Sequence, residues 1–323
     1  MEKINISSKE INIDEFKEIV LKTKPSNLNS LITNKIKNGK LIINLELYFN
    51  DNFDIDNFIA RGDVQDMNGI INSDLSLMNT SFNFFADSSD ILIKNIKGDM
   101  GGLLIRKGNL QIKRNEEITL NSDFDSEINI NNENIFNYLP HIKNIKFINK
   151  ETNLNANLQN FLSITFDKTL KVTDYIYTNK GKINKSFIKF DKPFKNSLLE
   201  KNLNYLYFKD TNFSARFALD KKNYIRTSGS YSFDDKNYHN YNFKNDFFKE
   251  NSNINVDFEF AERLNINFIN HIKEHDKVAK ILLNIEKKKN LINLKELSYN
   301  ENKNLILVEK LIIDKQDLIS LKK

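Results

Sequence analysis

Residues 81–114 read SFNFFADSSDILIKNIKGDMGGLLIRKGNLQIKR and contain the local pattern that decides the fold. A Phe-rich segment is followed by an alternating Ile segment, and a Gly-containing connection at 98–102 leads into two further alternating segments around Gly108. Apolar side chains recur at every second residue, which is the period of a β-strand and not of a helix. The stretch therefore predicts consecutive antiparallel strands joined by short turns.

The same period extends over most of the chain and is clearest in KLIINLELYF, residues 40–49. There Leu41, Ile43, Leu45, Leu47 and Phe49 share one face, and Ile42, Asn44, Glu46 and Tyr48 share the other. Comparable alternation recurs at 117–124, 171–178, 185–190, 205–210, 212–219, 254–260 and 305–313. Breaks come roughly every eight to twelve residues, which is typical of all-β proteins. We predict a mainly β chain with a few short helices.

The breaks between alternating segments contain residues that favour tight turns. Asn-Gly pairs at 38–39 and 68–69 are preferred in type I′ hairpins, because both central residues must tolerate positive φ. Gly-containing segments at 107–109, 179–181 and 228–229 predict similar turns. Short antiparallel strands are therefore expected throughout.

Helical pattern is rare and helps to divide the chain. Residues 14–23 predict a helix with Asp14 as its N-cap, ending near Pro25. Residues 134–139 predict a helical turn before Pro140. We expect an N-terminal segment with a short helix over 1–39, a first β segment over 40–130, a connecting segment over 131–160, and a second β segment over 161–323 in one continuous sheet.

Composition places the chain among globular proteins and excludes several classes of function. Apolar residues make up 40% and charged residues 28% of its 323 residues, near the globular average. The net charge is only +5, and Lys outnumbers Arg roughly sevenfold, so nucleic acid is not an expected partner. There is no Cys, which excludes disulfides and thiolate metal sites.

Targeting signals are not evident in the sequence. No run of 18 or more apolar residues occurs, so no transmembrane helix is expected in this stretch. Residues 1–20 contain no apolar segment of the kind found in signal peptides. We therefore expect either a cytosolic protein or part of a longer chain whose targeting segment lies outside these residues.

The segment HIKEH, residues 271–275, is the strongest candidate for catalytic chemistry. It matches the H-x-x-E-H form of some zinc peptidases, in which both imidazoles lie on one helical face beside a glutamate base. The flanks at 264–270 and 277–285 alternate as strands, which does not favour a metal site. His141 and His239 are isolated in the sequence.

Other ligand-binding motifs are incomplete. The acidic segment 51–56 lacks the Gly and the final Glu of an EF-hand loop, and the Gly-rich segment 98–102 lacks the Lys-Ser/Thr of a P-loop and predicts a turn or bulge. We predict that the protein is not an enzyme, with no catalytic residues, no metal ligands and no cofactor.

The run at 81–114 resembles the AsmA-like superfamily, which includes YhdP and TamB and is related to the bridge-like lipid-transfer proteins. The segments GKINKSFIKF at 181–190 and YIRTSGSYSFDD at 224–235 resemble the strand pairs and strand-Gly-strand units that recur in that family. The resemblance is to the central, YhdP-type region and extends over most of residues 40–323. It implies an elongated antiparallel sheet curled into a taco-like groove with an apolar interior.

The resemblance also implies a function and a location. It implies a non-enzymatic protein that carries phospholipid acyl chains between the inner and outer membranes. The location implied is the periplasm, with a tether to the inner membrane supplied by a segment absent from this chain. The partners implied are acyl chains, membranes at the ends of the groove, and other segments of the same or a longer envelope-spanning chain.

The lipid-contacting candidates are apolar residues at alternating positions in the first β segment. They are Leu41, Ile43, Leu45, Leu47, Phe82, Phe84, Ile91, Ile93, Leu103, Ile105, Leu110, Ile112, Ile118 and Leu120. An alternative to lipid contact stays open. The same residues would equally fill a closed core, and the chain would then be a structural or adhesive β-rod that binds a partner without lipid.

Overall fold

The computed structural model describes residues 2–22, 27–70, 76–131, 151–194, 198–275, 277–314 and 317–321. Nearly all of the described strands belong to one large antiparallel sheet, and two short helices lie near the start of the chain. The prediction of a mainly β chain with a few short helices is confirmed. Within the described residues, no helix is long and apolar enough to cross a membrane.

The helices are α1 (Ile13–Leu21) and α2 (Asn27–Lys35), and a 3₁₀ turn covers Asn267–Ile269. The strands before the connecting region are β1 (Glu2–Ser7), β2 (Ile11–Asn12), β3 (Ile36–Phe49), β4 (Ile55–Ile70), β5 (Ser76–Asp87), β6 (Asp90–Asp99), β7 (Leu103–Arg114) and β8 (Ile118–Asn131). The later strands are β9 (Asn153–Phe166), β10 (Val172–Phe194), β11 (Leu203–Ala218), β12 (Asn223–Ser232), β13 (His239–Phe248), β14 (Asn251–Phe260), β15 (Leu264–Ile266), β16 (His271–Lys273), β17 (Ala279–Lys288), β18 (Leu291–Glu301), β19 (Asn304–Asp314) and β20 (Asp317–Leu321).

The chain divides into two units. The first comprises Met1–Ile130 and Leu158–Tyr177, and the second comprises Asn131–Asn157 and Thr178–Lys323. In the first unit, β3 to β8 pair in sequence order, and β1 and β2 pair with β3. In the second unit, β11 to β14 continue into β17 to β20, while β15 and β16 form a separate hairpin.

The strands are longer than the sequence pattern predicted. The turns predicted at 38–39, 68–69, 107–109, 179–181 and 228–229 are wrong, because all five segments lie inside strands. Asn38 and Asn68 are cross-strand partners, and the Asn68 Nδ2 donates to the Asn38 Oδ1 at 2.7 Å. The turn predicted at 98–102 is confirmed, since residues 100–102 connect β6 to β7.

Bulges explain how these strands pass through turn-like sequences. Asp66, Asn79, Asn95 and Asp210 have φ between 48° and 58°, and each lies where the pairing register shifts. Asn and Asp tolerate this left-handed conformation better than other side chains do. Each bulge adds one residue to its strand and bends it, so the chain continues instead of reversing.

At three bulges, a glycine on the neighbouring strand lies against the residue that follows the bulge. A Cβ on Gly98 would lie 2.5 Å from Thr80 Oγ1, and one on Gly229 would lie 2.6 Å from the Thr211 Cα. Gly108 pairs with Ile96, whose Cβ lies 3.4 Å from the position of the missing side chain. These glycines are therefore required for close packing at bulges.

The helix predicted at 14–23 is confirmed as α1, but its N-cap is Asn12 and not Asp14. Asp14 lies in the first turn, where its charge is favourable to the helix dipole, and it accepts a hydrogen bond from Lys17 at 2.8 Å. The helix α2 was not predicted. The helical turn predicted at 134–139 lies outside the described residues, and 153–160 of the predicted connecting segment belong to β9.

Candidate functional site: the apolar faces of the two units

One face of the first unit's sheet is apolar from strand to strand. Residues directly opposite each other in antiparallel strands point to the same face, so the register defines that face. Phe84 pairs with Gly62 on one side and with Ile93 on the other, and Ile93 pairs with Leu110. We call this surface of β1 to β8 the first apolar face.

All fourteen lipid-contacting candidates lie on the first apolar face. Their pairing connects β3 to β4, β4 to β5, and so on to Ile118 and Leu120 in β8. Leu41 is buried, and the other thirteen are partly exposed. Ile4 and Ile6 of β1 extend the face and are 50% and 49% exposed. The contact of these residues with lipid stays a prediction.

The helix α1 covers one end of the first apolar face. Its Ile13 is 4% exposed and packs with Leu41, Val64 and Met67 in one cluster. A Cβ on Gly39 would lie 2.8 Å from the Ile13 Cδ1, so the absence of a side chain there lets the helix approach the sheet. Amphipathic helices of this kind are stabilised mainly by packing of their apolar side.

A buried polar group interrupts the face at β8 and β9. Asn160 is 5% exposed, and its Nδ2 donates to the Ser126 Oγ at 2.8 Å and to the Phe124 carbonyl at 3.2 Å. The Tyr177 hydroxyl donates to the Asn160 Oδ1 at 2.8 Å. Since every hydrogen bond is made within the sheet, the amide is satisfied without solvent.

The opposite face of the first unit carries charge pairs. The Glu46 carboxylate lies 2.7 Å from the Lys3 Nζ and 2.6 Å from an Arg61 nitrogen, and it accepts from the Tyr48 hydroxyl at 2.8 Å. The hydrogen bonds from Lys3 and Tyr48 lower the pKa of Glu46 to about 2, against the opposing effect of burial. The side opposite the first apolar face therefore carries charge pairs among apolar residues such as Ile42 and Phe85.

The second unit has an equivalent apolar surface, none of whose residues was among the predicted lipid-contacting candidates. Phe243 pairs with Thr227 and Val256, and Val256 pairs with Leu283, which pairs with Leu297. The second apolar face is formed by Phe208, Phe213, Ile225, Tyr231, Tyr241, Phe243, Phe247, Ile254, Val256, Phe258, Ile281, Leu283, Ile285, Leu294, Leu297, Ile306 and Val308. The alternation at 212–219, 254–260 and 305–313 was the signal for it.

The hairpin β15–β16 lies at one end of the second apolar face. Its Leu264 and Ile266 are buried in a cluster with Phe260, Ala279 and Tyr299. Lys273 is fully buried and donates to three backbone carbonyls at 2.7, 3.0 and 3.0 Å. These bonds satisfy the whole ammonium group, which is why a lysine is tolerated there.

The HIKEH segment is not helical, so its two histidines do not share a helical face. The His271 Nε2 lies 2.8 Å from Glu301, a buried carboxylate that also accepts from the Tyr299 hydroxyl at 2.7 Å. His275 lies 3.4 Å from Glu200 and 3.7 Å from Glu262. Over the described ranges, no three His, Cys, Asp or Glu side chains form a group suited to a metal ion.

Of the other candidates, the acidic segment lies in a turn and His239 lies in a strand pair. Residues 51–54 form the β3–β4 turn, in which the Asn50 Oδ1 accepts from the Asn52 and Asp54 backbone amides at 2.9 and 3.0 Å. His239 pairs with Tyr231 between β12 and β13. His141 lies outside the described residues.

Comparisons with known protein families, with curated proteins and with solved structures find no match to this chain. The resemblance to the AsmA-like superfamily therefore rests on the strand pattern of the sequence alone.

Proposed function

We propose that the chain is a non-enzymatic lipid-binding protein whose apolar faces hold phospholipid acyl chains. The observation that carries this proposal is the first apolar face, where the register aligns fourteen apolar residues and thirteen of them keep part of their surface exposed. In a closed core, residues at such positions are expected to be buried on nearly every side. A second molecule with apolar groups would complete the packing.

The energy of acyl-chain burial is large enough to drive such binding. Each CH₂ group transferred from water contributes roughly 0.8 kcal/mol, so a 16-carbon chain contributes about 12 kcal/mol. A surface made of many similar Ile, Leu and Phe side chains offers this energy at many positions. A lipid would then move along the face without one deep minimum to hold it.

The bulges support a curved surface. Bulges at Asp66, Asn79 and Asn95 lie in three consecutive strands, and the residues after the first two, Met67 and Thr80, are direct cross-strand partners. Because a bulge bends its strand and raises the local twist, aligned bulges bend neighbouring strands at the same level. A bent sheet encloses an acyl chain on more sides than a flat one does.

Transfer between membranes is the wider form of the proposal. The resemblance to the AsmA-like superfamily supports a periplasmic position, an inner-membrane tether outside these residues, and delivery of phospholipid between the inner and outer membranes. Membranes at the ends of the groove and further chain segments would be its partners. The opposite face, with its charge pairs around Glu46, would keep such a protein hydrated.

Native mass spectrometry with lipid extraction tests the proposal directly. Protein purified in mild detergent is expected to retain phospholipid, at more than one copy per chain. A parallel sample passed through the same detergent after delipidation reports the background. A stable, lipid-free protein that does not take phospholipid back would contradict the proposal and favour the structural or adhesive β-rod.

A further inference from the structure

A cleft of about 580 Å³ lies at one end of five neighbouring strands in the second unit. One row of cross-strand partners lines it, and the row runs Arg216, Tyr224, Asp246, Asn253 and Glu286. These residues alternate with those of the second apolar face, so the row belongs to the polar side of the sheet. The volume falls within the range of small-molecule sites.

The cleft carries more positive than negative charge. Its cationic side chains are Arg216, Lys222, Arg226, Lys287 and Lys288, and its carboxylates are Asp246 and Glu286. Arg226 lies 3.5 Å from Asp246, and Lys288 lies 2.9 Å from Glu286. Within the described residues, Arg216, Lys222 and Lys287 have no carboxylate within salt-bridge distance. Lys287 pairs with Ser252, which pairs with Phe247 of the second apolar face, so Lys287 points away from the row that contains Arg216. Arg216 and Lys222 are thus available to a ligand.

The Arg216 guanidinium is the most informative of these groups. Its Nε is buried and has no hydrogen-bond partner among the described residues. A buried donor without an acceptor is unfavourable, so a shift of the side chain that brings the Nε to an acceptor in the cleft would stabilise it. A guanidinium donates two parallel hydrogen bonds to a pair of oxygens, and this geometry matches phosphate.

We propose that this cleft is a binding site for a phosphate-bearing anionic ligand. Arg216 donates to the phosphate oxygens, and Lys222 neutralises part of the remaining charge. Tyr224 and Phe248 provide aromatic surface for the rest of the ligand. Arg216 lies on the polar side of the second unit, so its contact with the ligand does not depend on the proposed binding of acyl chains.

Isothermal titration calorimetry of the full chain with inorganic pyrophosphate tests the site. At constant ionic strength the wild-type protein is expected to bind, and Arg216→Gln is expected to weaken binding about tenfold. Lys303→Gln removes the same charge from the exposed β18–β19 turn and is expected to leave affinity within about twofold, as surface charges are screened by salt. If Arg216→Gln does not fold, Lys222→Gln, at an exposed position, replaces it.

A second arm separates a soluble phosphate from a lipid headgroup. Co-sedimentation is measured with vesicles of phosphatidylcholine, with and without phosphatidylglycerol. Binding of pyrophosphate that requires Arg216 supports a soluble ligand. Binding only to phosphatidylglycerol vesicles that requires Arg216 supports a headgroup, and both results uphold an anion site. Equal behaviour of Arg216→Gln and Lys303→Gln towards both probes would overturn it.

Discussion

Phe84 and Phe85 are consecutive residues of β5 that lie on opposite faces of the first unit's sheet. Phe84 pairs with Gly62 and Ile93, and a Cβ on Gly62 would lie 3.1 Å from the Phe84 ring. Phe85 pairs with Arg61 and Leu92 and is 39% exposed. The same substitution at the two positions therefore places a charge on the first apolar face in one case and on the opposite face, beside Arg61, in the other.

We expect Phe84→Glu to abolish most phospholipid binding and to leave the protein folded. A carboxylate on an open apolar face stays hydrated in the free protein, but a bound acyl chain would have to cover it. Phe85→Glu is expected to retain the lipid. The measurement is lipid copy number by native mass spectrometry beside thermal melting of both variants.

The two outcomes of melting distinguish an open face from a closed core. An unpaired charge in a closed core is very costly, so unfolding by Phe84→Glu but not by Phe85→Glu would contradict the open face. Ile93→Glu repeats the test in β6, with Leu92→Glu as its control on the other face.

Helix α1 offers a matched pair for its packing on the sheet. Ile13 is 4% exposed and Ile19 is 57% exposed. We expect Ile13→Ala to lower the free energy of unfolding by about 2–4 kcal/mol, because it leaves a cavity against Leu41 and Val64. Ile19→Ala is expected to change it by less than about 0.5 kcal/mol. Urea denaturation measures both, and equal effects would mean that α1 does not cover the face.

The apolar face was predictable because the strand period is local. In β7 the apolar positions change from odd, at Leu103 and Ile105, to even, at Leu110 and Ile112. A turn at Gly108 was predicted to account for this change, whereas the structure has a bulge within one strand. A turn and a bulge both move the apolar residues from odd to even positions. The prediction that these residues share one face is therefore correct, although the predicted turn is wrong.

What the sequence could not supply depends on contacts between distant segments. Turns and bulges favour the same residue types, because both need residues that tolerate positive φ. Only the register distinguishes Asn38, which pairs with Asn68, from a hairpin residue. The cleft is of the same kind, since Arg216 and Glu286 are far apart in sequence and lie in one row only through four strand pairings.

The charge pairs around Glu46 predict a defined pH dependence. Lys3 and Tyr48 hold the pKa of Glu46 at about 2, below its usual value near 4.5, and Glu46 raises the pKa of Lys3. The stabilisation that comes with a lowered carboxyl pKa is complete above the usual pKa and is lost as pH falls through the lowered pKa. The stabilisation that comes with a raised lysine pKa is complete below the usual pKa and is lost as pH rises through the raised pKa. The stabilising window therefore lies between about pH 4.5 and pH 10.5.

We expect Glu46→Gln to lower Tm slightly at pH 7 and to have a much smaller effect at pH 2, where about half of the Glu46 carboxyl is protonated in the folded state. The loss is expected to be small and to shrink in high salt, because the pairs are near the surface. Hydrogen exchange of the β1 amides should rise with it, since Lys3 connects β1 to β3. Glu116→Gln, in the exposed β7–β8 turn, is the control. An effect of Glu46→Gln that did not vary with pH would contradict the ionic origin.

The bulge beside Gly98 is expected to show strong coupling between two substitutions. Gly98→Ala alone places a Cβ at 2.5 Å from Thr80 Oγ1 and 3.2 Å from Thr80 Cβ, so we expect a loss of about 1–3 kcal/mol in the free energy of unfolding. Thr80→Ala removes the Oγ1 and the methyl group and leaves only the Cβ contact. The double variant Thr80→Ala/Gly98→Ala should therefore be more stable than the sum of the single losses predicts, by at least about 1 kcal/mol. Urea denaturation of the four proteins measures this coupling. Losses that add within about 0.5 kcal/mol would show that Thr80 and Gly98 do not pack together at the bulge.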